Sequence, residues 1–255
     1  MSAVSPASTG GPAVSVVIPA YREAFSIGPS VHECLDYFDA LEMSVEVIVA
    51  DDGSDDETVA MVERESARDA RVRLVRLGEH KGKGAAVRAG IAASSGVQVL
   101  LVDADLAIPL SEYPHFAEAL SHCDLALASK ELGRRLGYVR QPFLRVVMGR
   151  VFNLAVRLLL LPGFLDTQAG FKLLRGDAAR LLASECEIDG FAYDVEVLAL
   201  ALAHCLRAKE LPVHCRLTGK TSVRVLRDSL RMLRDILAVR RRMLRWRDHR
   251  EASLS

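Results

Sequence analysis

Short β-branched runs that stop abruptly at carboxylates set the tightest limit on how this chain can fold. Val14–Ile18 (VSVVI) closes at Pro19. Val45–Ala50 (VEVIVA) runs straight into Asp51-Asp52-Gly53-Ser54-Asp55-Asp56, and Val97–Val102 (VQVLLV) ends at Asp103-Ala104-Asp105. Runs this apolar, without in–out alternation, read as strands buried on both faces. Segments of helical character separate them. Ile27, Val31, Leu35 and Phe38 share one face of a helix over Ser26–Ala40. Ser54 and Glu57 form a capping-box pattern that opens a helix to about Arg68, and a helix over Gly84–Ser95 follows a Lys/Gly loop. Val72–Arg76 and Leu125–Ser129 read as further strands. Such alternation predicts an α/β fold with right-handed crossovers: a mostly parallel, Rossmann-like sheet flanked by helices. Ligands of such sheets bind beyond the carboxyl ends of the strands, where both acidic clusters fall.

After about residue 130 the pattern changes. Gln141–Leu161 reads as a long helix carrying Arg145, Arg150 and Arg157, and Asp166–Leu174 as a loop entering a strand. Gly176–Ala183 and Tyr193–Cys205 look helical, and Ala208–Val213 reads as a strand. A C-terminal amphipathic helix runs from Val223 to about Trp246, with Leu226, Leu230, Leu233 and Leu237 on one stripe. The expected organisation is a tail over 1–13, one catalytic domain over 14–221, the amphipathic helix over 222–247 and a tail over 248–255.

Half of the 255 residues are hydrophobic, enough for a sizeable core. The 33 basic and 33 acidic side chains cancel, which argues against a nucleic-acid binder. Arginines nevertheless gather in the last third, which hints at a local anionic partner. Five cysteines without a C-x-x-C pair read as free thiols in a reducing compartment. Residues 1–13 lack the basic start and apolar stretch of a signal peptide. The greasiest runs, 154–165 and 195–206, are too short to span a bilayer. The expectation is a cytoplasmic protein, soluble or peripheral on the membrane face.

Asp103-x-Asp105 at a strand end carries the most chemistry. Two carboxylates one residue apart can share one hard cation, Mg²⁺ or Mn²⁺, whose shell substrate phosphates complete. A solvated acidic turn is the bland alternative. Asp51 or Asp52 can accept from a base N–H or a ribose hydroxyl, or simply favour a helix dipole. Lys81-Gly82-Lys83-Gly84 lets backbone amides and Lys83 approach an anion at a helix start, and it matches neither the Walker loop nor G-x-G-x-x-G. Among Lys130, Arg134, Arg135, Arg140, Arg145 and Arg150, one or two guanidinium forks suit a lipid phosphate, unless all are solvated surface groups. The last helix, with ten arginines between Arg224 and Arg250, suits either an anionic membrane surface or packing of its leucines on the core.

VSVVIPAYRE (14–23), VIVADDGSDDET (47–58), HKGKGAAVRAG (80–90) and VDADLAIP (102–109) resemble the ordered signatures of family-2 inverting glycosyltransferases with the GT-A fold. GRVFNLAVRLLL (149–160), DTQAGFKLL (166–174), FAYDVEVLALA (191–201) and DSLRMLRDIL (228–237) are similar to dolichyl- and polyprenyl-phosphate glucosyl- and mannosyltransferases. The resemblance implies that Pro19, Tyr21, Glu23 and Asp51 or Asp52 hold the nucleoside. It implies that Asp103 and Asp105 bind metal and diphosphate with Ala104 close by, and that Arg145 and Arg150 grip the acceptor phosphate. Lys172 and Arg216 would touch either phosphate, and Asp166, Gln168 and Asp194 would line the sugar pocket. DADLAIP lacks the Gln of the mannosyl branch, which favours UDP-glucose over GDP-mannose. Ala169 stands where the family usually has Cys, and His214-Cys215 where it usually has Trp, so the acceptor can differ from a lipid.

The implied reaction is a single displacement with inversion. A phosphate acceptor is already anionic and needs no strong base. A hydroxyl acceptor, as on a natural-product or polysaccharide intermediate, would need one, with Asp194 or Asp166 the candidate. Two rivals of other classes remain: a nucleotidyltransferase, which would release pyrophosphate, and a non-catalytic membrane-associated binding protein, which would transfer no sugar.

Overall fold

The computed structural model describes residues 11–139, 149, 153–154, 156–216 and 225–252, with side chains of the last helix described from 232 to 246. Its strands are β1 (Val14–Ala20), β2 (Val45–Asp51), β3 (Val72–Arg76), β4 (Gln98–Leu101), β5 (Leu125–Ser129), β6 (Lys172–Arg175) and β7 (Ala208–Pro212). Its helices, renumbered in order, are α1 (Ile27–Ala40), α2 (Thr58–Arg68), α3 (Lys83–Ala92), α4 (Tyr113–Leu120), α5 (Lys130–Arg135), α6 (Gly176–Glu185), α7 (Tyr193–Ala203) and α8 (Val225–Ala252).

The seven strands form one sheet in the order β3-β2-β1-β4-β6-β5-β7. β1 pairs in parallel with β2 and β4, β2 with β3, and β5 with β7. β6 is antiparallel to both β4 and β5. The strand expected after Asp166 therefore enters the sheet reversed. Its first residue, Lys172, lies level with Leu101 at the carboxyl end of β4 and with Leu127 in the middle of β5. The loop before β6 is thereby delivered to the same edge as the acidic clusters.

Both faces of the sheet are covered, which is why β1 and β2 are continuous rather than alternating in hydrophobicity. One core layer joins Val16 and Ile18 to Ile27, Val31, Leu35 and Phe38 of α1 and to Phe116 of α4. The other joins Val17, Ile48 and Val99 to Val87 and Ile91 of α3 and to Leu198 of α7. The doubly wound sheet with helices on both sides is the GT-A architecture.

Two local expectations fail. The capping box before α2 is absent: the Ser54 hydroxyl instead accepts the Arg22 N–H at 3.0 Å, and Asp56 receives the Thr58 N–H at 3.0 Å. A tertiary contact took the serine, and a neighbouring carboxylate replaced it. The terminal helix runs on to Ala252 rather than ending near Trp246. Of the helix expected over Gln141–Leu161, the described residues 149, 153–154 and 156–159 are helical, and the rest of that stretch lies outside the described residues, as do Arg140, Arg145 and Arg150.

Candidate active site

The edge formed by the carboxyl ends of β1, β2 and β4 gathers most of the expected site residues. β1 delivers Pro19, paired in register with Ala50, and then Tyr21 and Glu23. Tyr21 stacks on His80 with ring centroids 4.0 Å apart, and His80 Nδ1 lies 2.8 Å from Asp52. The Glu23 N–H donates to Thr58 Oγ1 at 2.8 Å, and its carboxylate accepts the Ser26 hydroxyl at 2.9 Å.

Asp51 and Asp52 are buried and largely engaged with backbone. Asp51 accepts the N–H groups of Gly53 and Ser54 at 3.1 Å each, which turns the chain off β2. Asp52 accepts the N–H groups of Lys81 at 2.8 Å and Gly82 at 2.9 Å. The Lys/Gly loop is thus clamped to β2. Most of its amides are engaged within the protein rather than turned to an anion as the sequence suggested: besides Lys81 and Gly82, Gly84 and Ala85 donate to the Asp189 carbonyl, at 2.7 and 3.2 Å. Gly82 adopts φ 131°, a region that side chains avoid, and a Cβ there would collide with that same carbonyl. The glycines serve a close approach of two loops.

What the loop does present is Lys83. Its ammonium donates to Asp103 Oδ1 at 2.7 Å, so residues from β4 and the start of α3 meet beyond the strand ends. Burial, the largest influence, pushes the Asp103 carboxyl upward. The charges of Lys83, Lys130 and Lys172 outweigh it and hold the group down at about 2. Burial likewise opposes the charge on Lys83, but Asp103, Asp194 and Asp105 keep its pKa above the ordinary lysine value. Asp105 accepts the Ala107 N–H at 3.1 Å, and Leu106 between them turns through the left-handed region at φ 43°. The Ala104 carbonyl accepts the Ser30 hydroxyl at 2.7 Å, which ties the turn to α1.

The segment before β6 closes the other side. Gly170 sits so near Asp103 that a Cβ there would stand closer than 3.0 Å to each atom of the carboxyl group. Asp166 caps α5, accepting the Lys130 N–H at 2.9 Å, and its second oxygen accepts the Gln168 N–H at 3.1 Å. Gln168 reaches the Phe191 carbonyl at 3.1 Å. Lys172 is 3% exposed at its side chain and is spent within the protein: Nζ donates to the Ala169 carbonyl at 2.5 Å and pairs with Asp194 at 2.8 Å. Expected on an acceptor phosphate, it is found holding a buried carboxylate and adding positive potential behind Asp103. Arg216 lies beside the Asp103–Asp105 turn, its N–H on the Ala107 carbonyl at 2.7 Å and its guanidinium on Glu33 at 3.2 Å.

Asp103 and Asp105 supply the oxygen donors that Mg²⁺ or Mn²⁺ prefers. Among the described residues no group of three or more His, Cys, Asp or Glu side chains could enclose a metal by itself. That donor set fits a cation that completes its shell from a diphosphate and water rather than one caged by protein. Four contributors went unread in the sequence: His80, Ser30, Gly170 and Asp189. Only His80 and Gly170 stood inside recognised motifs, and nothing in their spacing told what they touch.

Residues 15–180 match the family described as glycosyl transferase family 2. A dolichyl-phosphate beta-glucosyltransferase of Dictyostelium discoideum is 31% identical over 201 residues, 74% of this chain and 62% of that protein. Glycosyltransferase AglD of Haloferax volcanii is 34% identical over 229 residues, 88% of this chain and 36% of its own length. The mouse dolichyl-phosphate beta-glucosyltransferase is 32% identical over 208 residues, 76% of this chain and 64% of that one. The chain therefore spans between about a third and just under two thirds of these relatives. Among solved structures, glucosyl-3-phosphoglycerate synthase from Mycobacterium tuberculosis in complex with UDP superposes with a TM-score of 0.65 at 21% identity, covering 91% of this chain and 80% of its own. Mannosyl-3-phosphoglycerate synthase from Rubrobacter xylanophilus does so with a TM-score of 0.66 at 18% identity, covering 93% and 75%. The strand-end carboxylates, the sheet that carries them and the match over most of the sheet lead to one conclusion: the chain belongs to glycosyl transferase family 2.

Proposed function

We propose that the chain is an inverting, metal-assisted hexosyltransferase that moves glucose from UDP-glucose to the phosphate of a polyprenyl lipid. The observation that carries this reading is the meeting of Asp103, Asp105 and Lys83 at the strand ends, where a sugar diphosphate finds oxygen donors for its cation and an ammonium for its own charge. The donor and acceptor are supported by the relatives named for dolichyl-phosphate glucosyl transfer, and UDP and Mn²⁺ occur together in a crystal complex of the mycobacterial synthase.

Asp103 and Asp105 would hold Mg²⁺ or Mn²⁺, which when bound neutralises charge on the departing diphosphate. An acceptor phosphate oxygen attacks the anomeric carbon from the face opposite the nucleotide, the bond from that carbon to the UDP oxygen breaks, and UDP leaves with the electron pair. The lipid phosphate is already anionic, so no carboxylate need take a proton. Lys83 moves part of its charge from Asp103 to the diphosphate as charge grows there. Tyr21, held between His80 and the Arg22 guanidinium, would border the nucleoside, with Asp51 and Asp52 shaping the loops beside it. Asp166, Gln168 and Asp194 shape the sugar pocket, each already fixed by backbone or Lys172. Arg216 stands nearest to the turn as a cation for either phosphate, with Arg145 and Arg150 as further acceptor candidates.

The last helix suits a peripheral position on an anionic membrane. Met232, Ile236 and Val239 face the core, while Leu233, Leu237 and Leu244 are exposed beside Arg234, Arg240, Arg241 and Arg245. No described helix is long and apolar enough to cross a membrane.

A transfer screen tests the whole reading. UDP-glucose and GDP-mannose are offered with Mn²⁺ or Mg²⁺ and either a short polyprenyl phosphate or a sugar-alcohol acceptor. Glucosyl-phospholipid formed from UDP-glucose, and lost in Asp105→Asn with an unchanged thermal melt, is the expected result. Product only with the hydroxyl acceptor moves the assignment to that class, and full activity in Asp105→Asn removes the metal role.

A further inference from the structure

Three successive sets of hydrogen bonds run from the terminal helix to the start of α3. Arg242 of α8 donates from Nη1 to Glu196 Oε1 at 2.8 Å and from Nη2 to the Glu185 carbonyl at 2.7 Å. Glu196 of α7 is 1% exposed, and its other oxygen accepts the N–H groups of Glu187 at 3.0 Å and Ile188 at 2.8 Å. The turn held in this way passes its carbonyls on. The Asp189 carbonyl receives Gly84 and Ala85 at 2.7 and 3.2 Å, while the Ile188 carbonyl and the Asp189 carboxylate receive Arg88 at 2.8 and 2.5 Å.

The amides satisfied at the end of this chain belong to the first turn of α3, where a helix has no partners of its own. Lys83 begins that helix and reaches Asp103. A pair between a buried glutamate and a partly buried arginine is a costly way to dock a helix, since apolar residues of similar volume do so as well or better. What the carboxylate adds is direction. It fixes two amides of one turn and one guanidinium of another helix at the same point. Burial, the largest influence, raises the Glu196 carboxyl above its ordinary value against the amides and Arg242, so the group depends on those partners for its charge.

We propose that Arg242 and Glu196 are positioning residues: through the Glu187–Asp189 turn they hold the first turn of α3, and with it Lys83, in place at the diphosphate site. The functional half of this statement rests on the reading of Lys83 and Asp103 as parts of that site. The structural half, from Arg242 to the α3 amides, does not, and is measured separately.

The test uses the full chain as wild type, Arg242→Gln, Arg242→Lys and Glu196→Gln, with Arg241→Gln, an exposed neighbour on the same helix, as reference. Hydrogen exchange is followed on peptides covering Gly84 and Ala85 and on peptides of β1 and β2. Arg242→Gln and Glu196→Gln are expected to speed exchange at the start of α3 and leave the strands unchanged, Arg242→Lys to recover part of the protection, and Arg241→Gln to match wild type. Binding of UDP with Mn²⁺ is then measured by calorimetry. It should weaken roughly threefold to thirtyfold in Arg242→Gln. In a Lys83→Met background the same substitution should change it little, because both act on one contact. Wild-type exchange at α3 in both Arg242→Gln and Glu196→Gln overturns the structural link. Equal loss of affinity with and without Lys83 overturns the positioning role and leaves a general structural one. Wild-type protein that does not bind UDP, with exchange still faster in the variants, keeps the link and removes its bearing on a nucleotide site.

Discussion

Gly170→Ala is the smallest substitution that strikes the site directly. The added methyl would fall within contact distance of every atom of the Asp103 carboxyl group, closer than real side chains come. Relief cannot come easily from Gly170's own segment. Its neighbours Ala169 and Phe171 are each 1% exposed, and Phe171 packs edge-on against Phe116 with centroids 4.8 Å apart. The carboxylate must move, by about 1.5 Å to reach ordinary contact. Opening the Lys83–Asp103 pair from 2.7 Å to about 4.2 Å lowers its Coulomb energy from about 6 to about 4 kcal/mol at an effective dielectric of about 20. Asp103 is 34% exposed at its side chain, so solvent screening reduces the loss to about 1–2 kcal/mol of folding stability; nucleotide binding is expected to weaken as well, because the carboxylate no longer stands at its original place between Lys83 and the strand end. Calorimetric titration with UDP and Mn²⁺, beside a thermal melt, reads this out. The expected pattern is weakened nucleotide binding in a folded protein. Wild-type affinity in Gly170→Ala would show that the carboxylate's position is not what the glycine protects, and the reasoning would fall.

Lys172→Met strands the Asp194 carboxylate in the core, and should cost about 3–5 kcal/mol in urea unfolding; a stable variant whose only defect is a raised KM for the acceptor would mean that Lys172 meets the substrate after all. The Glu46 carboxyl, which burial pushes upward, is brought below its ordinary 4.5 by Ser15, Ser95 and Arg73. Its contribution to stability is therefore present above about pH 4.5 and lost as pH falls through the lower folded value. Melts of wild type and Glu46→Gln should converge only once the pH has fallen below the lowered folded value, and a gap that stays constant with pH means that Glu46 is not the group responsible.

Local order was legible in the chain from the start. Predominantly β-branched runs such as Val45–Ala50, broken only by Glu46, lack the strict alternation of a half-exposed strand, so they read as interior strands, and the carboxylates that end them emerge at one edge of the sheet. Asp51, Asp52, Asp103 and Asp105 were found there for that reason. The direction of β6 was not legible, because a four-residue strand such as Lys172–Arg175 pairs either way and its neighbours across the sheet decide. Nor were the partners of charged residues. Lys172 and Asp194 are 22 positions apart in the sequence, and only folding reveals that they neutralise each other in the core. The same holds for Asp52 and the Lys81–Gly82 amides, for Gly170 and Asp103, and for Arg242 and Glu196. Hydrophobic period and strand ends are written in neighbouring residues. Which charge is paired and which is left for a ligand depends on contacts between distant ones, and the folded chain alone settles it.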